Sequence, residues 1–284
     1  MKRALSEIAR DLKAYISAQD ENLLDVPAGF RAAGGFAGGT GEVPTSLSAG
    51  SPPQIEPEEI RTASDVPDPG AAAASDETDR AVLVRERFIV LEQEVQKCRA
   101  CGLGASRLRP VFGTGTPHAR VVFVGEGPGF QEDHLGKPFV GKSGQLLDKI
   151  LETVFGMKRS EVYIANIVKC HPMKDPSDPE LHSNDRPPTP EEIACCRHFL
   201  DEQLRLIQPL CIVTLGSVPT KVLLNTTKGI SLMRGRNYPY PFDLGRPVTV
   251  IPTYHPAALL RNPNLKRDTW EDMKRLRALL QENP

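Results

Sequence analysis

Four short apolar runs, at residues 120–124, 162–168, 210–215 and 247–251, constrain the fold of this chain more than any other feature. Each is too short for a buried helix and is dominated by aliphatic side chains, so each is predicted to be a strand. Helical patterns fill the intervals. Residues 144–154 put Leu146, Leu147, Ile150 and Leu151 on one side of a helix, and residues 217–224 form a shorter one. Residues 189–206 open with Thr189, Pro190 and Glu192, a capping box with proline at the first helical position. Residues 266–280 close the chain as a helix. Strands alternating with helices of this length predict a mainly parallel sheet covered on both faces. Ligands of such sheets bind beyond the carboxyl ends of the strands, which here carry residues 125–129, 166–170 and 253–255.

The first part of the chain has a different character. Residues 1–20 set Leu5, Ile8, Leu12, Tyr15 and Ile16 at helical spacing, predicting a short amphipathic helix that could dock a protein partner. Acids interrupt it too early for the apolar core of a signal peptide. Residues 21–80 are rich in Ala, Gly, Pro and Ser and cannot bury enough apolar surface to offset chain entropy, so a disordered linker is expected. Beneath a net charge of −1, residues 1–79 carry 6 Lys and Arg against 14 Asp and Glu, whereas residues 80–284 carry 29 against 22. A globular domain is therefore expected over 81–284, and its excess of cations suits a polyanionic partner. No apolar run approaches a membrane span. The cytoplasm is the expected compartment, where six cysteines point to metal or redox chemistry rather than structural disulfides.

Chemistry concentrates at the predicted strand ends. After the first strand comes GEGPGFQEDHLGKPFVGKSG, residues 125–144, whose segment 136–143 matches the phosphate-loop pattern G-x-x-x-x-G-K-[ST]. A working phosphate loop is delivered directly by a strand. Here the strand ends well before Gly136, Pro138 removes one amide donor, and no later strand ends in a magnesium-binding Asp. The match is read as coincidental. Cys98 and Cys101 form a C-x-x-C, Cys170 ends the second strand, and Cys195 and Cys196 lie on the next helix. Thiolates gathered this way suit Zn²⁺ or a 4Fe–4S cluster, and spacing alone does not choose. Cys211 lies inside an apolar strand and reads as a small buried hydrophobe. His255, within PTYHPAALLRNP (residues 252–263), follows the fourth strand at the same sheet edge as the glycine-rich loop. The other five histidines have no comparable setting.

Taken together, GEGPGFQEDHLGKPFVGKSGQLLDKIL, NIVKC, PTPEEIACCRHFL, IVTLG and PTYHPAALLRNP resemble the family-4 uracil-DNA glycosylases, from about Cys98 to the C-terminus and in the right order. The resemblance implies a three-layer αβα sandwich around a four-stranded, mainly parallel sheet. It implies a 4Fe–4S cluster on Cys98, Cys101, Cys170 and a fourth cysteine, and hydrolytic removal of uracil from single- or double-stranded DNA by a monomer. Gly125, Glu126 and Gly127 would line the uracil, Phe139 would stack on it, Asn166 would read its O4 and N3–H, and His255 would stabilise charge on the departing base. Leu259 or Leu260 would wedge into the emptied stack, while Arg261 and the Lys266/Arg267 pair would hold phosphates.

Two departures from that family stand out. A related branch places an Asp in the loop to orient water where this chain has Gly127, leaving Glu126 and Glu132 as the available carboxylates. The interval from Cys170 to Cys196 is about ten residues longer than usual, with a polar bulge at DPSDPELHSND, and family spacing favours Cys196 over Cys195 as the fourth ligand. The competing readings are a non-catalytic zinc- or cluster-bearing DNA-binding module and a P-loop hydrolase.

Overall fold

The computed structural model describes residues 69–283, with side chains from Arg80 onward. The amphipathic segment expected at 1–20 and most of the expected linker lie outside the described residues. Helix α1 (Pro69–Lys97) begins within the stretch expected to be linker. Its stripe of Val84, Phe88, Leu91 and Val95, spaced by four, three and four residues, is buried. That spacing was available in the sequence as a helix signal.

A six-stranded sheet follows, in the order β1 (Thr114–Gly115), β3 (Tyr163–Asn166), β2 (Val121–Gly125), β4 (Cys211–Leu215), β6 (Thr249–Thr253), β5 (Tyr238–Pro239). The four expected strands form the parallel centre, β3-β2-β4-β6. The two-residue strands β1 and β5 pair antiparallel at the edges, too short to carry an apolar pattern of their own.

Alternation along the central strands divides the core. Val122, Val124, Ala165, Ile212 and Val250 face the side covered by α1 and α5 (Pro190–Ile207). Val121, Phe123, Ile164, Val213 and Ile251 face the side covered by α4 (Lys142–Ile150), α8 (Pro256–Arg261) and α9 (Lys266–Glu282). Burial on both faces explains why these strands read as continuous apolar runs. The three layers are those of an α/β fold, as expected. Helix α5 begins as the capping box requires, with Glu192 N–H donating to Thr189 Oγ1 and Thr189 N–H donating to the Glu192 carboxylate. Helices α2 (Leu103–Ser106), α3 (Phe130–Leu135), α6 (Ser217–Leu224) and α7 (Ile230–Met233) complete the described chain. No helix among the described residues is long and apolar enough to cross a membrane.

Parallel register brings the carboxyl ends together: Gly125 pairs with Asn166, and Leu215 with Thr253. The loops beyond those ends form the site.

Candidate active site

Gly125 is the centre of the arrangement. A Cβ built on it would lie 2.4 Å from Asn166 Oδ1 and 2.6 Å from Phe139 Cζ, so only glycine fits between these two side chains. The loop beyond it is fastened to the end of β3, with Ile167 N–H donating to the Gly125 carbonyl (3.0 Å) and Val168 N–H to the Glu126 carbonyl (3.2 Å). Gly127 faces Val168 and Pro172.

Asn166 is 2% exposed, and its Oδ1 has no hydrogen-bond partner. A buried amide oxygen left unpaired costs about 1–3 kcal/mol, so a donor, from water or from a ligand, is expected opposite it. Phe139 is buried, and its ring lies 5.4 Å from that of His255 at an interplanar angle of 34°. One amide, one aromatic ring and one imidazole thus converge on a single sheet edge.

His255 caps α8, its Nδ1 accepting from Ala257 N–H at 3.1 Å. An accepting Nδ1 leaves the proton on Nε2, so the ring is assigned as a neutral donor through that nitrogen. Burial, reinforced by the positive charge of Arg261, pushes its pKa down to about 4, which keeps it neutral at physiological pH. Glu126 shifts the other way: desolvation pushes its carboxyl up to about 7. A carboxyl poised near neutrality can hold or release a proton at working pH.

Glu132, the second carboxylate candidate, is committed to backbone. Its Oε2 accepts from Gly129 N–H (3.3 Å) and its Oε1 from Val140 N–H (2.9 Å) and Gly141 N–H (3.0 Å). It braces the loop that carries Phe139 and offers little for orienting water. The 136–143 segment follows helix α3 rather than a strand, in keeping with the rejection of a phosphate loop. Helix α3 was not expected from the sequence, and Gly144, expected only as a helix start, lies too close to the Phe139 carbonyl for any Cβ.

The Pro256–Arg261 turn corrects the DNA-contact set. Leu259 is 0% exposed and belongs to the core under α4, so it cannot reach DNA. Leu260 is 41% exposed, and Arg261 is exposed beside it. Lys266 is 4% exposed and so is no phosphate ligand, while Arg267 is exposed. Each residue step in a helix rotates by about 100°, which sends Leu259 inward and Leu260 outward.

Cys98, Cys101, Cys170 and Cys196 pack against one core cluster, and Cys195 stands outside it. The ionisation of Cys170 is coupled to Cys101 and Cys98, and that of Cys196 to Cys170 and Cys101. On α5, Cys196 shares the inward face with Leu200, whereas Cys195 is half-buried. Arg107 Nη1 donates to Cys170 Sγ at 3.0 Å, and Lys169 N–H donates to Cys196 Sγ at 3.2 Å. Among the described residues no three Cys, His, Asp or Glu side chains are closed to the spacing of a single ion. Cys211 is a buried strand residue, as expected.

Two features went unread in the sequence. Lys169 is 1% exposed and joins the two regions, its Nζ donating to the Asn166 carbonyl (3.0 Å) and Gln203 Oε1 (2.7 Å). A lysine inside the apolar run NIVKC was the signal for it. His171 is fully buried, with Nε2 2.6 Å from Asp185 Oδ1. The polar bulge closes as a loop through a Met173–Asp185 bridge and through buried Asn184, which binds Asp175 and Asp178 backbone.

The geometry defines a class: an α/β protein that gathers an amide, an aromatic ring and an imidazole beyond the carboxyl ends of its parallel strands. A sequence model of the Uracil DNA glycosylase superfamily matches residues 112–274. The type-4 uracil-DNA glycosylase of Thermotoga maritima is 40% identical over 199 residues, covering 69% of this chain and 96% of that protein. That of Sulfurisphaera tokodaii is 39% identical over 193 residues, 66% of this chain and 83% of the relative. A type-5 uracil-DNA glycosylase from Thermus thermophilus is 30% identical over 151 residues, 47% of this chain and 64% of the relative. The chain belongs to the uracil-DNA glycosylase superfamily.

Proposed function

We propose that the protein flips uracil out of DNA and hydrolyses its N-glycosidic bond, leaving free uracil and an abasic site. The observation that carries this reading is the buried, unpartnered Asn166 Oδ1 beside the Phe139 ring. Uracil offers a donor at N3 and an acceptor at O4, matching the amide's oxygen and its NH₂. Cytosine presents the reverse and would leave both sides unpaired, which a buried site penalises strongly. Stacking on Phe139 contributes about 1–3 kcal/mol to holding the extruded ring.

Bond cleavage leaves negative charge on uracil, shared with O2. A neutral His255 with its proton on Nε2 donates to that oxygen as charge develops, the kind of help an anionic leaving group needs most. Water supplies hydroxide to the sugar carbon, and its proton needs a base. Glu126, with its carboxyl pushed up to about 7, is the group for that role. Leu260 fills the vacated stack, and Arg261 and Arg267 meet the backbone phosphates.

The cysteine corner is read as the ligand set of a 4Fe–4S cluster: Cys98, Cys101, Cys170 and Cys196. Its support is the donor chemistry. Two thiols already receive N–H donors, one from a guanidinium, and burial otherwise pushes the Cys196 thiol up to about 12. A buried thiol of that kind ionises only against positive charge. When bound, such a cluster supplies covalent ties between the chain entry, the end of β3 and α5.

The test is a uracil-bearing oligonucleotide incubated with folded protein, then treated with alkali. Strand scission at the uracil position, with none at a cytosine control, is expected. An intact strand from folded, cluster-loaded protein overturns the reading. A zinc-bearing binding module would be colourless and would leave the strand intact.

A further inference from the structure

Phe139 is held in a backbone conformation that its own side chain does not favour. Its φ of 51° lies in the left-handed region, rarely used by bulky residues. Strain of this kind persists only where neighbours over-determine it, and it gathers at functional sites.

The holding groups can be named. From the short 3₁₀ turn Arg159–Glu161, the Arg159 guanidinium donates through Nη1 to the Phe139 carbonyl (2.9 Å) and through Nη2 to the Pro138 carbonyl. Nη1 also donates to Asp148 Oδ1 on α4 at 3.0 Å. Glu132 takes the Val140 and Gly141 amides on the other side. Two successive carbonyls are thus gripped by one planar fork, and the following two amides by one carboxylate. Neither group reaches into the pocket.

We propose that Arg159, steadied by Asp148, is a positioning residue for base recognition: it clamps the 138–139 carbonyls and so fixes the Phe139 ring as the stacking platform. The proposal rests on the reading of Phe139 as that platform. A cation near a DNA-binding edge could instead serve a phosphate, but Arg159 spends both terminal nitrogens on protein acceptors. The fork geometry matters. A lysine would keep the charge and lose the two-carbonyl grip.

A double-mutant cycle tests this, using Arg159→Lys and Phe139→Leu with single-turnover uracil release and inhibition by free uracil as readouts. Each single variant is expected to lower kcat/KM by about 10- to 100-fold and to weaken inhibition by uracil, with the cooperative unfolding transition retained. The double variant should be no slower than the worse single one, because both changes remove the same platform. The salt dependence of DNA binding should match wild type, since no phosphate contact is lost. Multiplicative effects, a shallower salt slope, or a wild-type Arg159→Lys would each overturn the clamp while leaving the glycosylase reading intact. A wild-type Phe139→Leu would overturn the platform itself. Should Arg159→Lys not fold, Asp148→Asn, which keeps the guanidinium and loosens it, goes through the same cycle with the same criteria and a smaller expected loss.

Discussion

The proposed pocket is built from protein atoms alone. Its ring, amide and imidazole are fixed by Gly125, by backbone hydrogen bonds and by a helix cap. The cysteine corner gathers thiols that burial holds in the protonated form, so their ionisation would have to be driven by a bound cation. Function in the first region rests on preorganisation. In the second, stability would come from binding, which is folding free energy in another form. Lys169 sits between them, its backbone on Cys196 and its side chain on the Asn166 carbonyl.

That difference breaks cleanly under mutation. The largest effect is expected from Gly125→Ala, whose methyl would occupy the space of Asn166 Oδ1 and Phe139 Cζ. Uracil release should fall by at least ~100-fold, and overpacking the buried strand end should also lower the melting temperature, costing about 1–3 kcal/mol of stability. A wild-type rate of uracil release would show that Gly125 does not set the spacing of Asn166 and Phe139. The corner should respond differently. Cys196→Ser is expected to lose bound iron and the brown colour of a loaded cluster, and to lower the melting temperature, whereas Cys195→Ser keeps both. Iron content and thermal unfolding measured side by side decide this, and the opposite ranking would reassign the fourth ligand.

The pH profile sharpens the account of the pocket. Glu126 is expected to act as a carboxylate, so kcat/KM should rise with pH through about 7 and then level off. Its raised folded-state value means that the native protein binds more protons than the unfolded chain between the ordinary carboxylate range and about 7. Stability from this group therefore declines as pH increases through that window. His255, held down to about 4, should add no inflection between pH 5.5 and 7.5. Glu126→Gln should flatten the rise. A rise that survives in Glu126→Gln assigns the ionisation to another group.

The smallest contrast lies within one dipeptide. Leu259→Ala should cost about 2–5 kcal/mol of stability, as a large-to-small change in a sealed core. Leu260→Ala should leave stability within about 0.5 kcal/mol and slow excision a few-fold, more on duplex than on single-stranded DNA. Equal effects on stability would remove the distinction between inward and outward leucine.

These contrasts also show how much was readable in the sequence. The four parallel strands were legible because both faces are buried, which writes each as an unbroken apolar run. The pocket residues were legible because they sit at strand ends or beside glycines that permit close approach. Leu259 and Leu260 were not separable, since two adjacent leucines look alike until a helix phase is known. Helix α3 is only six residues long with four polar residues at its middle, too short to write a helical period, and Glu132 looked catalytic because a sequence does not show which amides a carboxylate will meet. Arg159 and Lys169 act through backbone carbonyls, and such partners leave no trace in residue type.

The central claim, that Phe139, Asn166 and His255 form a uracil-reading pocket, is tested most directly by a crystal structure with free uracil bound. The expected density has the ring stacked on Phe139, N3 and O4 against the Asn166 amide, and O2 within hydrogen-bond distance of His255 Nε2. Uracil bound elsewhere, or in that pocket with Asn166 Oδ1 still unpaired, would contradict it.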